Sequence, residues 1–368
     1  MDFSLDENQR AVAELAAEVL GKECHGAPGE LDGRWGYNEP IWAALAKAGL
    51  LSLAVPVELG GDGLGVGEVS VVLREIGAHG ARVPALATLA LGVLPIAARG
   101  TAAQQAALLP DVATGNAVVT GAPSEPGAAL TVAPRVAAVA VGGSWRISGV
   151  KASVPHAAQA RCILVPAAVP GGSAIFLVDP AADGVSLTRT PSATGSPEYT
   201  LTLDGVAVDD DAVLGRDTGG DTVRTLRDFA QAGATALGDG ALAGALELTT
   251  THLRTRHQFG KPLATFQAVA QQIADVYVAS RTVHLAATSA VWRLGAGLDA
   301  TEDLDLAAYW LAAEALPAVR SCHHLHGGLG VDVTYPLHRY YSTIKDLARF
   351  VGGAGHRLEA LGAAESER

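Results

Sequence analysis

The chain has 368 residues, 49% hydrophobic and 17% charged, and its 26 Lys+Arg against 38 Asp+Glu leave a net charge of −12. Such a balance excludes intrinsic disorder, and without a basic block it excludes wrapping of a nucleic-acid backbone. At about 150 residues per domain, the length fits two or three domains. Cys24, Cys162 and Cys322 lie far apart and form no C-x-x-C pair, so neither a disulfide framework nor a zinc ribbon is expected. Met1 to Arg10 is polar and acidic, unlike a signal peptide, and no apolar run reaches the ~20 residues that cross a bilayer. A cytoplasmic protein with no membrane partner is expected.

From Asp6 to about Ala113 apolar residues recur three and four apart, as in Ile41, Leu45 and Leu50 and then Val71, Val72 and Ile76, which predicts helices. Between two of them, Pro56 to Gly65 is rich in glycine and reads as a turn. It is no dinucleotide fingerprint, because the third glycine position falls on Val66 and no strand precedes it. From about Ala117 to Gly215 the period becomes two: Trp145 and Ile147 alternate with Arg146 and Ser148, and Tyr199, Leu201 and Leu203 with Thr200, Thr202 and Asp204. Ala174 to Val178 reads as a fully buried strand. Asp204-Gly205 marks either a hairpin or a bulge in a single strand.

After Asp209-Asp210-Asp211 the helical period returns, with Phe266, Val269, Ile273, Val276 and Tyr277 as one stripe. The Ala and Gly residues of Ala232 to Ala245 allow close helix packing or a bulky ligand, the former being the simpler reading. Helices, then sheet, then helices make an α+β protein of separate domains. No G-x-S-x-G, H-E-x-x-H or Walker A sequence occurs. His323, His324 and His326 lack a carboxylate or thiolate at ligand spacing, so no metal is expected. In Arg254-Thr255-Arg256-His257-Gln258-Phe259-Gly260-Lys261-Pro262 a helix is expected to end at Phe259-Gly260, with another starting after Pro262. Arg254, Arg256, His257 and Lys261 are expected to meet there, either as cations at a helix C-terminus or as an anion site.

That segment, followed by Phe266-Gln267, resembles the R-x-x-F-G and F-Q motifs of the acyl-CoA dehydrogenase family. Pro56 to Gly65 resembles the family's P-E-x-x-G-G-x-G loop, and His326-Gly327-Gly328-Leu329-Gly330-Val331, with Pro336 and Arg339-Tyr340 after it, its late glycine motif. The resemblance spans nearly the whole chain. It implies an acyl-CoA dehydrogenase-like α+β fold: an N-terminal helical domain (1–115), a middle β-barrel or sandwich domain (116–218) and a C-terminal four-helix bundle (219–368). It also implies FAD held between subunits, an acyl-CoA substrate and an electron-transfer flavoprotein as acceptor. Carried over, the residues reaching a neighbouring subunit's FAD pyrophosphate and adenosine are Arg256, Phe259, Gln267, His324, Gly327 and Gly328. His324 stands where the family usually has Gln and can still donate one hydrogen bond.

Other family features are missing. The general base is a Glu either about six residues past the Lys that follows Arg-Tyr or in the helix before R-x-x-F-G. Those places hold Val351/Gly352 and Ala230, so no base is assigned, and Asp228 and Asp346 are the nearest acids. The family's T-E-P-G-A-G-S-D reads Ser124-Glu125-Pro126-Gly127-Ala128-Ala129-Leu130-Thr131 here. Its flavin-covering Trp-Ile-Thr is Ser153-Val154-Pro155, and Pro155 has no N–H to offer. The chain is therefore similar to the base-lacking subunit of actinobacterial heterotetrameric (α2β2) acyl-CoA dehydrogenases acting on CoA-linked steroid side chains, whose homologous partner supplies the Glu. The alternatives are a homo-oligomeric enzyme using Asp228 or Asp346, or a scaffold without FAD.

Overall fold

The computed structural model describes residues 3–24 and 36–366. Asp6 opens α1 (Glu7–Glu23) with a capping box: its carboxylate accepts the Gln9 N–H at 2.8 Å, and the Gln9 side chain accepts the Asp6 N–H. Val12, Ala16 and Leu20, one turn apart, form its buried stripe. Asn38 caps α2 (Glu39–Lys47), which buries Ile41, Trp42 and Leu45. The glycine-rich segment is a turn. Gly60 and Gly63 are left-handed, and a side chain at Gly61 would overlap the Val55 carbonyl. Next comes α3 (Val66–Ala78), whose Val71, Val72 and Ile76 are buried.

Two π-helical segments obey one rule. Leu86–Val93 runs into α4 (Leu94–Arg99), with Pro95 near its start, and Leu311–Ala315 runs into a helix with Pro317 in the same place. A proline lacks an N–H and crowds the carbonyl one turn back, and the wider π turn absorbs both defects. After α5 (Ala102–Ala113) the strands begin: β1 (Val118–Gly121), β2 (Ala137–Val141), β3 (Ser144–Pro155), β4 (Ala160–Val169), β5 (Gly172–Val178), β6 (Val185–Thr190) and β7 (Glu198–Asp209). They form one seven-stranded mixed sheet in the order β1-β4-β2-β3-β7-β6, with β5 also on β4. β4 pairs in parallel with β1 and β2, and the other pairs are antiparallel. Ile147, Ile163, Val165, Phe176, Leu201, Leu203 and Val206 fill its core. Asp204-Gly205 is a bulge within β7, not a hairpin. Both residues lie opposite Ser148, whose hydroxyl accepts the Gly205 N–H at 3.1 Å, and Gly205 has φ 61°.

The remaining chain is α6 (Asp221–Thr255), a small hairpin of β8 (His257–Gln258) and β9 (Lys261–Pro262), α7 (Gln267–Gly295), α8 (Thr301–Trp310), α9 (Leu316–His326), α10 (Leu337–Phe350) and α11 (Gly353–Ser366). α7 packs on α8 and α9, and α10 on α9 and α11. Tyr277 leaves the expected α7 stripe and is 56% exposed, while Val276, Ala279, Ser280, Val283, Ala287 and Ala290 make the buried face. The small residues of α6 serve close packing. An added Cβ at Gly77 would overlap the Leu237 carbonyl, at Gly240 that of Arg74, and at Gly244 that of Ala78. α3 and α6 thus touch backbone to backbone. Arg74 Nε and His284 Nδ1 both bond Asp239 Oδ2, at 2.9 and 2.8 Å, tying α3 and α7 to α6.

The chain divides into two compact units, Met1–Glu30, Ser70–Ala81 and Ala234–Arg368 in one, Leu31–Val69 and Arg82–Gly233 in the other. Each draws on more than one zone of the sequence. Among the described residues no helix is long and apolar enough to cross a membrane.

Candidate functional site

α6 ends at Thr255, before the expected Phe259-Gly260, because the next residues form the hairpin. Its two-residue loop has φ 51° at Phe259 and 79° at Gly260, the left-handed pair that matches the twist of two short strands. Glycine takes this conformation freely and an aromatic residue rarely does. Phe259 is 92% exposed and meets Phe266 edge-on at 6.2 Å, and Lys261 Nζ lies 4.3 Å over the Phe266 ring. The turn then passes into α7 at Gln267.

The other half of the site is the end of α9. Gly327 has φ 61° and ψ −136°, a conformation in effect reserved for glycine, and opens a 3-10 turn over Gly327–Val331. His323 closes that turn, its Nδ1–H donating to the Gly330 carbonyl at 2.7 Å, and a side chain at Gly330 would crowd the His323 carbonyl. At Gly327 and Gly328 the reverse holds, since nothing lies within 4 Å of an added Cβ.

Between the hairpin and the glycine turn is a cavity of about 700 Å³ walled by His252, Arg256, Gln258, Gln272, His324 and Gly327-Gly328. Among the described residues no carboxylate lines it. The structure brings together four of the six residues expected here, Arg256, His324, Gly327 and Gly328. Phe259 stands at the hairpin tip and Gln267 on the exposed start of α7, neither in the wall. The expected meeting of four cations is corrected as well: of Arg254, Arg256, His257 and Lys261 only Arg256 lines the cavity. Arg254 is two residues away, about 200° round the helix, and Lys261 is taken up by Phe266. His252, Gln258 and Gln272 were not anticipated. For His252 the signal was present, as it precedes Arg256 by one helical turn and shares its face.

Among the described residues no group of three His, Cys, Asp or Glu could hold a metal ion. Ala230 and Val351 are fully buried and Gly352 has φ 91°, so neither expected base position carries an acid. The Asp228 carboxylate accepts from Arg227 Nε and Nη2 at 2.8 and 2.6 Å. Asp346 pairs with Arg349 at 3.7 Å.

At the edge of the sheet, the Ser124-Glu125-Pro126-Gly127 stretch has a different employment. The Glu125 carboxylate accepts the backbone N–H of Arg135 at 2.8 Å, that of Val136 at 3.0 Å and the Lys151 ammonium at 2.8 Å. Burial works to raise the Glu125 carboxyl, and the bonds from Lys151, Val136 and Arg135 outweigh it, so its pKa lies below the usual range. Lys151 has no exposed surface, and burial, opposed by Glu125, pushes its pKa down to about 8. Pro155, in place of the flavin-covering Thr, ends β3 and accepts the Thr120 hydroxyl at 2.8 Å.

Models of the acyl-CoA dehydrogenase N-terminal and C-terminal domains match residues 6–116 and 229–363. The chain belongs to the acyl-CoA dehydrogenase family. Within it, the chain is 49% identical to acyl-CoA dehydrogenase FadE28 of Mycobacterium tuberculosis, over 99% of this chain and 98% of that one. Among solved structures it matches a chain of the Tcur3481–Tcur3483 steroid ACAD G363A variant with 36% identity, TM-score 0.90 and 98% of each chain covered. It matches the ChsE4–ChsE5 complex from Mycobacterium tuberculosis with 31% identity, TM-score 0.92 and the whole of both chains covered. This family member has Arg256, His324 and Gly327-Gly328 in its cavity wall and no carboxylate at Ala230, Val351 or Gly352.

Proposed function

We propose that this acyl-CoA dehydrogenase chain is the base-lacking subunit of a heteromeric, FAD-dependent enzyme that introduces an α,β double bond into an acyl-CoA thioester. The absence of a carboxylate at Ala230 and at Val351/Gly352 carries the reading. A homologous partner subunit, in an α2β2 tetramer, supplies the Glu that removes the α-proton. The steroid ACAD and the two-component complex among its solved relatives support a heteromer acting on a CoA-linked steroid side chain. An electron-transfer flavoprotein is the acceptor.

The residues present fit the phosphate-bearing end of FAD. Arg256 offers paired charge-assisted bonds, no carboxylate repels a diphosphate, and Gly327 and Gly328 leave a hollow that side chains would fill. When bound, FAD supplies the hydride acceptor for the desaturation. The chain's part is to hold the cofactor: Arg256 and His324 at the diphosphate, the glycine turn by close backbone approach, and Phe259 and Gln267 from the hairpin and the α7 start. Asp228 and Asp346 act as ion-pair partners of Arg227 and Arg349, not as bases.

Co-expression with a homologous Glu-bearing subunit tests this. The pair is expected to purify as one complex with bound FAD and to oxidise a steroid side-chain acyl-CoA, and the single chain to be inactive. A lone chain holding one FAD per subunit with full activity, abolished by Asp228→Asn or Asp346→Asn, overturns it in favour of a homo-oligomer. A complex whose flavin content is indifferent to Arg256→Ala leaves only a scaffold.

A further inference from the structure

One wall of the cavity is a pair of imidazoles, of which His326 opens the glycine motif and His252 belongs to no motif named above. His252 on α6 and His326 at the end of α9 stack with centroids 4.5 Å apart and planes 19° from parallel. His326 is committed at both nitrogens: Nδ1–H donates to the Cys322 carbonyl at 2.8 Å, and Nε2 accepts from the Tyr335 hydroxyl at 3.1 Å. His252 is different. Among the described residues no group hydrogen-bonds its ring, and it lines the cavity.

The groups around the stack are cationic or neutral. Arg256, just past the end of α6, lies four residues beyond His252, and α9 contributes His324 in the cavity wall and His323, whose charge acts on His326. The segment after the glycine turn brings Tyr335, and α7 brings only the uncharged Gln272. Burial, then Arg256, lowers the pKa of His252 below the ordinary imidazole value. Burial, with His252 and His323, lowers that of His326. At His252, therefore, both burial and the Arg256 guanidinium oppose a proton. A bound anion reverses this, since an opposite charge within about 4–6 Å shifts a pKa by 1–3 units toward the charged form.

We infer that His252 is a binding residue of this cavity and takes up one proton from solvent when a diphosphate-bearing ligand enters it. The inference rests on the cavity being the nucleotide-diphosphate site proposed above. By linkage, affinity falls as pH rises between the pKa of His252 in the free protein and that in the complex, by at most about tenfold per pH unit for one proton.

The test uses the full chain, ADP as the diphosphate probe and adenosine as its uncharged control, with dissociation constants measured from acid to mildly alkaline pH and histidine Cε1–H signals followed by NMR. ADP is expected to bind more weakly as pH rises, adenosine to bind without that slope, and one imidazole to titrate at higher pH with ADP than without. His252→Phe keeps a ring on His326 and is expected to lose the extra slope. The titration of ADP itself is common to both proteins and cancels in their comparison. ADP binding with the same slope in wild type and His252→Phe overturns this inference and leaves the nucleotide site standing. Failure of ADP to bind at any pH overturns both.

Discussion

The Glu125–Lys151 corner of the sheet and the cavity at the ends of α6 and α9 both gather charge, and they use it in opposite ways. At the corner every charge is answered by the chain itself, and Lys151 is sealed from water. In the cavity, Arg256, His252 and His324 face open space with no carboxylate to answer them. Charge consumed by the fold marks a structural motif, and charge left over marks a binding one. In the Ser124–Thr131 stretch it is Glu125, in the half that keeps the family pattern, that holds residues 135 and 136 and Lys151.

The largest effect is expected of Lys151→Ala. It leaves the Glu125 carboxylate buried without its ammonium, and we expect a loss of about 3–5 kcal/mol of stability in urea denaturation. A loss below about 1 kcal/mol would mean that the corner is not structural. Next is pH. His156 follows Pro155 at the end of β3, is buried edge-on against Tyr37 at 5.8 Å, and has its pKa pushed down to about 4 by burial. Its folded pKa lies below the unfolded value of about 6.5, so the unfolded chain binds the extra proton between the two. Stability therefore falls as pH drops from about 6.5 to 4, by about 3 kcal/mol in all. His156→Asn suits the left-handed φ of 53° and should flatten that part of the pH–stability curve. At the cavity the effects move from stability to binding. Arg256→Ala should leave the urea midpoint within the error of a surface substitution and weaken FAD retention by the complex about tenfold, the loss of a charge-assisted contact. Smallest is Gly328→Ala, which meets no neighbouring atom and should cost binding a few-fold at unchanged stability.

Much of this was legible from sequence because it depends on local rules. The alternation in β3 and β7 and the glycines of α6 each announce what they do. The motifs pointed to residues that the fold gathers in one place, since Arg256, His324 and the glycine turn all line the cavity. What failed was local geometry against helical extrapolation. The hairpin at His257–Pro262 ends α6 early, and no periodicity shows that Phe259 adopts a left-handed backbone. Pairings distant in sequence were equally hidden: nothing near Lys151 says that its partner is Glu125, and nothing near His252 says that a second imidazole lies on it.

The backbone crossing of α3 and α6 bears on how the chain folds. Arg74 and Asp239, which flank it, are 165 positions apart, with the whole sheet between them. Closing so long a loop costs chain entropy that only the finished contact repays. α3 must therefore wait for this backbone contact until α6 has been synthesised. During that interval the nascent chain is most exposed to aggregation or to a chaperone. Folding of the helical unit should be slower than that of the sheet, whose hairpins β2–β3 and β4–β5 pair neighbours in sequence.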